Sequence, residues 1–263
     1  MEISVGGRST HVYTGGKTPD PSAPAVLFIH GAALDHSCWN LQARWFAHHG
    51  WTVLAPDLPG HGRSDGEPLT SVAAIAAWLV ALMDAAGIAR AALVGHSMGS
   101  LAALAAAACY PQRIDRIALL GNATPMPVSE TLLAAARDDE VRARGMINAW
   151  SYSARGQIGG NAMPGLWLLG MNQRLMERAR PGVLHTDLSA CNAYRDGLEH
   201  AANLACPALI LCGGSDQMAP PKATLALAAA IPGVRRVVLA GAGHALMAEQ
   251  PDAVIDALRD FLG

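Results

Sequence analysis

The stretch from Gly95 to Gly99 contains the residues whose types and spacing point most directly to chemistry. It reads Gly-His-Ser-Met-Gly, so that Ser97 stands between two glycines in the pattern G-x-S-x-G. An apolar run that predicts a strand precedes it, and an alanine-rich run that predicts a helix follows it. A serine at such a junction can act as a nucleophile once a base takes its proton and a third group orients that base.

The two glycines of this pattern have a geometric reason. A very tight turn from strand to helix strains the backbone of the serine and lifts its hydroxyl above the end of the sheet. Side chains at Gly95 or Gly99 would collide with the strand or the helix, so glycine is expected at both positions. The backbone N–H of Met98 lies at the predicted helix N-terminus, where it can stabilise an oxyanion.

These features resemble the α/β-hydrolase family, and the resemblance extends over nearly the whole chain. In that family an acid and then a histidine follow the nucleophilic serine along the sequence. The matching positions are Asp216, after the apolar run 208–211, and His244, in Gly-Ala-Gly-His after the run 235–239. The resemblance implies that His244 takes the proton of Ser97, and that Asp216 orients the imidazole and stabilises its charged form.

The loop after the first predicted parallel strand resembles the family's oxyanion motif. It reads His-Gly-Ala from His30 to Ala32, and the resemblance places the second oxyanion donor on the backbone N–H of Ala32. Gly31 lets the backbone approach closely. Some family members carry the acid after an earlier strand, but the matching stretch 121–124 contains no acidic residue, which favours Asp216.

The elements that must position these residues alternate along the chain. An opening hairpin is expected around Gly6 and Gly7. Apolar runs typical of strands covered on both faces follow at 25–29, 52–55, 91–94, 114–120, 208–211 and 235–239. Helical patterns lie between or after them at 39–49, 70–86, 98–109, 221–230 and 252–262. This alternation predicts an α/β fold, with a mostly parallel sheet of the α/β-hydrolase type and helices on both faces.

Residues 124–203 interrupt the alternation. They contain helical patterns at 129–140, 165–179 and 183–194 and a glycine-rich stretch at 156–165 that predicts a loop, but no clear strand. A block this long between two strands predicts an inserted helical lid rather than a crossover helix. The expected organisation is a hydrolase core of residues 1–123 and 204–263, with a lid of residues 124–203.

Several histidines and tryptophans are candidates for the rim or wall of a substrate pocket. A scattered histidine or a lid tryptophan is more often structural, so packing is the alternative for each of them. The candidates are His36, His61, His96, Trp150, Trp167 and His185. None of the histidines is spaced as in a known metal motif, and the expected mechanism requires neither a metal nor a cofactor.

The bulk composition argues against several other classes of protein. The 263 residues are 51% hydrophobic and 15% charged, which is ample material for a large core. A net charge of −2 without a basic block gives no reason to expect nucleic acid or a membrane as partner. The N-terminal residues do not resemble a signal peptide, and five cysteines without C-x-x-C spacing are typical of a reducing compartment. A cytoplasmic location is therefore expected, and the oligomeric state stays open.

The resemblance implies hydrolysis of a small or medium carboxylic ester, or of a lactone. Dehalogenases and epoxide hydrolases of the family use an aspartate nucleophile, so Ser97 argues against both. Family enzymes that hydrolyse carbon–carbon bonds of dienoic ring-cleavage products share the triad, but many carry tryptophan after the histidine, where this chain has Ala245. Perhydrolase or haloperoxidase-like activity stays open, as does a ligand-binding receptor that keeps the triad without turnover.

Overall fold

The computed structural model describes residues 1–160, 162 and 165–263, and within these the chain forms a single eight-stranded sheet. The strands are β1 (Glu2–Val5), β2 (Arg8–Tyr13), β3 (Ala25–Ile29), β4 (Thr52–Pro56), β5 (Ala91–His96), β6 (Ile114–Leu120), β7 (Ala208–Gly213) and β8 (Arg235–Leu239). Their order is β1-β2-β4-β3-β5-β6-β7-β8. The pairs β1–β2 and β2–β4 are antiparallel, and every later pair is parallel. The predicted α/β fold is confirmed.

Helices connect the strands and cover the sheet. They are α1 (Asn40–Ala47), α2 (Val72–Ala85), α3 (Met98–Cys109), α4 (Glu130–Asp138), α5 (Glu140–Ser151), α6 (Ala154–Gln157), α7 (Leu168–Glu177), α8 (Val183–Ala193), α9 (Gly197–Ala202), α10 (Leu225–Ala230), α11 (Leu246–Glu249) and α12 (Pro251–Leu262). Short 3₁₀ helices, His36–Trp39 and Pro221–Thr224, precede α1 and α10. Among the described helices, none combines the length and the apolar character that crossing a bilayer requires.

The sheet has a core on each face because its central strands are apolar at successive positions. In β3, Leu27 and Ile29 belong to the core that contains α2 and α3, while Val26 and Phe28 belong to the core that contains α1 and α12. All four side chains are fully buried. Burial of each contributes about 1.5–3 kcal/mol, which explains why these strands read as continuous apolar runs.

Between β6 and β7 the described residues form helices α4 to α9 and no strand. These helices have a hydrophobic cluster that includes Leu132, Met176, Leu184 and Leu188. Ala33, from the loop after β3, belongs to the same cluster. The segment is therefore packed directly onto the loop that carries the expected oxyanion donor.

Three predicted boundaries within this segment are wrong. The helix expected at 129–140 ends at Asp138, because Asp139 leaves the helical conformation, with φ −151° and ψ 73°, and its carboxylate accepts the Arg142 N–H to cap α5. Helix α6 occupies the start of the loop expected at 156–165, and residues 161, 163 and 164 of that loop lie outside the described residues. Helix α7 begins at Leu168 and not at residue 165.

Candidate active site

Ser97 lies in the turn between β5 and α3. Its φ of +52° is in a region that residues other than glycine rarely adopt, so the backbone is strained there. A Cβ added at Gly95 would collide with the backbone of Gly99, and one added at Gly99 would collide with the carbonyl oxygen of Ile29. Both glycines thus have the steric reason that the sequence pattern suggested.

Asp216 follows β7 and His244 follows β8, so both reach the edge of the sheet where Ser97 lies. The His244 Nδ1 is 2.8 Å from Asp216 Oδ2, and Asp216 Oδ1 accepts the N–H groups of Met218 and Ala219, each at 2.8 Å. Burial opposes ionisation of Asp216, but His244 and the two N–H groups outweigh it and hold the pKa of Asp216 below its usual value. An ionised carboxylate can only accept, so Nδ1 carries a proton and Nε2 is the basic nitrogen of a neutral ring.

The carbonyl group of His244 is also held in place. His96 is buried, and its Nε2 lies 3.0 Å from the His244 carbonyl oxygen. Burial, together with the neighbouring His244, lowers the pKa of His96 to about 3. A neutral His96 therefore donates its Nε2–H to this carbonyl, which fixes the loop that carries His244.

Ser97 and His244 line the same cavity, yet within the described part of the chain no hydrogen bond joins the serine hydroxyl to the imidazole. Contacts between a nucleophile and its base are commonly long before substrate binds and shorten in the complex. The structure therefore places the two residues side by side without the bond that proton transfer needs.

Two backbone N–H groups near Ser97 are free to bind a developing negative charge. Gly31 packs against the turn so closely that an added Cβ would lie 3.3 Å from the Ser97 Cβ. The N–H groups of the next residue, Ala32, and of Met98 at the start of α3 have no acceptor among the described residues. Preorganised donors of this kind are what an oxyanion requires.

The residue after Ala32 is held by a buried ion pair. Ala33 has a φ of +53°, and its N–H donates to Asp187 Oδ2 of α8 at 2.8 Å. The same oxygen lies 2.8 Å from Nε2 of His61, whose Nδ1 faces the Pro59 carbonyl oxygen at 3.0 Å. Burial opposes a charge on His61, but Asp187 outweighs it and raises the pKa of His61. His61, expected at the pocket rim, is instead buried, and each of its ring nitrogens faces an acceptor, an arrangement that suits a protonated imidazole.

A cavity of about 780 Å³ opens beside Ser97. The core contributes five of the expected residues to its lining: Gly31, Ala32, His96, Ser97 and His244. The segment between β6 and β7 contributes Trp150, also expected, and apolar side chains that include Met126, Leu132, Ile147, Leu175 and Leu188. The arrangement can receive an apolar molecule with one reactive group at Ser97.

Four of the predicted pocket residues do not belong to the described lining of this cavity: His36, His61, Trp167 and His185. The ring of His36 is turned away by its hydrogen bond to Asp57, with 2.7 Å between Nδ1 and Oδ1. Trp167 precedes α7 and is 69% exposed, and His185 is half-buried on α8. Spacing along the chain could not tell which side of a helix faces the cavity, so for these residues the structure corrects the expectation.

His36 belongs to a polar cluster formed by β2 and the segments that follow β3 and β4. Ligand atoms of His11, His36 and Asp57 lie within 4.8 Å of one another. Their polar atoms have protein partners, since His11 Nδ1 is 2.7 Å from Glu2 Oε1 and Asp57 accepts the N–H groups of His36 and Arg63. Although burial disfavours its charge, these bonds hold the pKa of Asp57 at about 2. The cluster therefore anchors the loops that follow β3 and β4.

Two buried acids near the site were not singled out from the sequence: Asp187 and Glu249. The Glu249 carboxylate accepts the Gly243 N–H at 2.8 Å and binds both the N–H and the hydroxyl of Ser153. It thereby joins the end of α5 to the loop of His244. A signal existed for Asp187, because it lies among the apolar residues Leu184 and Leu188 on one face of α8, where an acid needs a buried partner.

Comparison with known proteins places this geometry in a family. The model of the alpha/beta hydrolase family matches residues 26–257. A 2-hydroxy-6-oxononadienedioate/2-hydroxy-6-oxononatrienedioate hydrolase of Paraburkholderia phymatum is 29% identical, over 90% of this chain and 86% of the relative. The crystal structure of the enol-lactonase from Burkholderia xenovorans matches with a TM-score of 0.88 at 27% identity, covering 100% of this chain and 99% of that chain.

A thermophilic esterase from Thermogutta terrifontis is also similar, with a TM-score of 0.83 at 25% identity, covering 100% of this chain and 97% of that chain. These matches extend over both the sheet and the helices between β6 and β7. Because the family model spans most of the sequence, from β3 into α12, the chain belongs to the alpha/beta hydrolase family.

Proposed function

We propose that the chain is a serine hydrolase that cleaves a small or medium carboxylic ester, or a lactone, through an acyl-enzyme on Ser97. The observation that carries the proposal is the strained Ser97 in one cavity with His244, whose Nδ1 is bound to the buried Asp216 at 2.8 Å. A nucleophile, a base and an orienting acid at one edge of a sheet form the arrangement used for acyl transfer.

The reaction follows from these positions. His244 Nε2 takes the proton of the Ser97 hydroxyl as its oxygen attacks the carbonyl carbon of the substrate. The carbonyl oxygen becomes negative and is bound by the N–H groups of Ala32 and Met98, while Asp216 stabilises the imidazolium. The tetrahedral intermediate collapses, and the alcohol leaves with the proton from His244. Water, deprotonated by His244, then attacks the acyl group and releases the acid.

The cavity supports an ester or lactone substrate with an apolar acyl or alcohol group. Its volume of about 780 Å³ suits a small or medium molecule, and most of the side chains that helices α4 to α8 supply are apolar. On this basis residues 124–203 serve as a lid over Ser97. The enol-lactonase and the esterase among the similar structures, at 27% and 25% identity, favour the same substrate classes.

A second candidate is hydrolysis of a carbon–carbon bond in a dienoic substrate. The relative from Paraburkholderia phymatum, named for a dienedioate and trienedioate hydrolase activity, favours it. Ala245 argues against it, because enzymes of that kind often carry tryptophan directly after the histidine and Ala245 lines the cavity here. The two candidates share Ser97 and differ in the bond that breaks.

The test is labelling of the purified protein by a fluorophosphonate probe, together with turnover of p-nitrophenyl esters of rising chain length, of lactones and of dienoic ring-cleavage products. Ser97→Ala is compared with Ser22→Ala, whose hydroxyl lies on an exposed loop and binds only Asp20. Labelling and ester or lactone turnover that Ser97→Ala alone abolishes support the proposal. Turnover of the dienoic acids alone selects the second candidate, labelling without any turnover leaves a binding role, and an unlabelled wild type overturns the proposal.

A further inference from the structure

The loop after β3 turns sharply at the residue that carries the proposed oxyanion donor. The Leu34 N–H donates to the Gly31 carbonyl oxygen at 3.3 Å, so Ala32 and Ala33 are the central residues of a four-residue turn. Ala33 has a φ of +53°, whereas Ala32 does not have a positive φ. This combination marks a type II turn, which normally has glycine or asparagine at the position of Ala33.

The same four residues have an alternative that suits alanine better. In a type I turn the third residue has a negative φ, and the peptide between the two central residues is flipped. The flip would reverse the directions of the Ala33 N–H and of the Ala32 carbonyl oxygen. Since a left-handed conformation is unfavourable for alanine, a specific contact must hold the observed turn.

Asp187 supplies that contact. Its Oδ2 accepts the Ala33 N–H at 2.8 Å, and in the flipped turn the Ala32 carbonyl oxygen would face this carboxylate instead. Two acceptors repel each other, and both Asp187 and its partner His61 are only 1% exposed, which leaves little access for water to relieve the repulsion. The carboxylate therefore selects the orientation of the Ala32–Ala33 peptide.

The carboxylate is itself fixed by charge. His61, from the loop after β4, lies 2.8 Å from the same Oδ2, and the His30 ring packs against the His61 ring at 4.9 Å between centroids. His30 stays neutral, because burial and the neighbouring His61 lower the pKa of His30 to about 4. Three segments that are distant in sequence thus meet at one oxygen of Asp187.

We infer that Asp187 is a positioning residue for the oxyanion site of the proposed hydrolase. It holds the Ala32–Ala33 peptide and so fixes the preceding N–H, that of Ala32, in the direction needed to bind the oxyanion. The inference rests on the proposed function, because Ala32 is a donor only in that mechanism. It also makes α8, whose Leu188 and Cys191 line the cavity, a part of the catalytic framework.

The experiment compares Asp187→Ala, Ala33→Gly and the double variant with the wild type. Active sites are counted with the fluorophosphonate probe, and kcat per labelled serine and KM are measured on the best p-nitrophenyl ester. We expect Asp187→Ala to lower kcat about 10- to 100-fold with KM within about twofold, as loss of one oxyanion donor lowers kcat about 10²- to 10³-fold. Ala33→Gly should restore kcat at least about fivefold in the double variant, since glycine adopts a positive φ freely.

Asp138→Asn is the matched control, because Asp138 is exposed at the end of α4 and its side chain pairs only with Arg137. Its kcat should stay within about twofold of the wild type, as expected for an exposed ion pair. A general loss of folding would lower the number of labelled serines, and Ala33→Gly would not repair it. Recovery of kcat by Ala33→Gly therefore distinguishes a loss of positioning from a loss of stability.

Asp187→Ala leaves His61 buried without its counter-ion and can prevent folding. In that case the pair is replaced as a whole by His61→Leu with Asp187→Leu, and the same comparison is made with and without Ala33→Gly. A kcat per labelled serine equal to that of an active wild type, or no recovery by Ala33→Gly, overturns the inference alone. An unlabelled and inactive wild type overturns the proposed function, and the inference with it.

Discussion

Asp57 shows how one carboxylate fixes the loops on which the candidate site is built. It accepts hydrogen bonds from the backbone and the ring of His36, which precedes α1, and from the backbone of Arg63 in the loop after β4. These hydrogen bonds reach their full strength only when the carboxylate is charged. They therefore lower the pKa of Asp57 to about 2 despite its burial.

This shift predicts the acid dependence of stability. The folded value of about 2 lies below the usual value of 3.8, so the unfolded chain binds the proton more tightly. The stabilisation, on the order of 2 kcal/mol, is therefore complete above about pH 4 and is lost as the pH falls towards 2. We expect the urea midpoint to fall over this range, and Asp57→Asn to lower it at pH 7 and to flatten the fall.

An exposed acid provides the control. The control is Glu67→Gln, a substitution of similar shape at an acid that is exposed on the loop after β4. Its pH profile should follow that of the wild type. A profile for Asp57→Asn as steep as that of the wild type would show that other carboxylates, such as Asp216, dominate acid unfolding.

Single residues also show what a sequence can and cannot predict about this site. The turn at Ser97 was predictable because its constraint is local, with Gly95 and Gly99 two residues away on either side. The positions of Asp216 and His244 followed from a family order of residues at strand ends. The role of Asp187 was not predicted, because its partner Ala33 is 154 positions away in sequence and no local pattern specifies that pairing.

At the scale of elements, the loop of His244 depends on its contact with the end of α5. Glu249 of α11 binds the Gly243 N–H and Ser153, and the Ala245 N–H donates to the Ser151 carbonyl oxygen at 3.0 Å. A Cβ added at Gly243 would approach the backbone of this same segment. The helical segment between β6 and β7 thus contacts the residues on both sides of His244.

Glu249→Gln tests this contact. An amide has only one acceptor oxygen, and its NH₂ would face either the Gly243 N–H or the Ser153 hydroxyl, so a buried donor loses its partner. We expect the free energy of unfolding to fall by about 1–3 kcal/mol, and kcat to fall with it as the His244 loop loosens. Urea unfolding and ester turnover measure the two effects, with Glu67→Gln as control. Unchanged stability would mean that the Ser151 contact suffices.

A helix or strand could be predicted from the sequence where the constraints on it are local. Strand β3 is buried on both faces, so its apolar run gave the correct limits. Helix α5 was missed because α4 and α5 are separated by one residue, Asp139, whose preference to cap the second helix competes with continuation of the first. Which face of α7 or α8 lines the cavity depends on packing against the core, and periodicity alone does not show it.

At the scale of the whole molecule, the segment between β6 and β7 is attached to the sheet at several points. Besides the contacts of Asp187 and Glu249, the Arg180 guanidinium donates to the carbonyl oxygens of Ser64 and Gly66 at 2.9 and 2.8 Å. Ala33 of the core also packs inside the hydrophobic cluster of the helices. These contacts join the proposed lid to the loops after β3, β4 and β8.

We expect the segment and the sheet to unfold together. Hydrogen exchange measured by mass spectrometry at rising urea should show peptides of α8 and of β5 losing protection at the same concentration. Asp187→Ala removes one attachment and should make the α8 peptides lose protection first. Loss of α8 protection well before that of β5 in the wild type would show instead that the segment opens on its own.

The buried oxygen of Asp187 has a consequence for how such an enzyme can change during evolution or by engineering. A lid that only shapes the pocket can be exchanged between relatives without changing the catalytic groups. Here Asp187 of the segment is the acceptor for the Ala33 N–H, so under the proposed mechanism a grafted segment without an acid at that place would change the selectivity and weaken the oxyanion site together. We therefore expect single substitutions in the cavity wall to change the substrate range with less loss of activity than exchange of the whole segment.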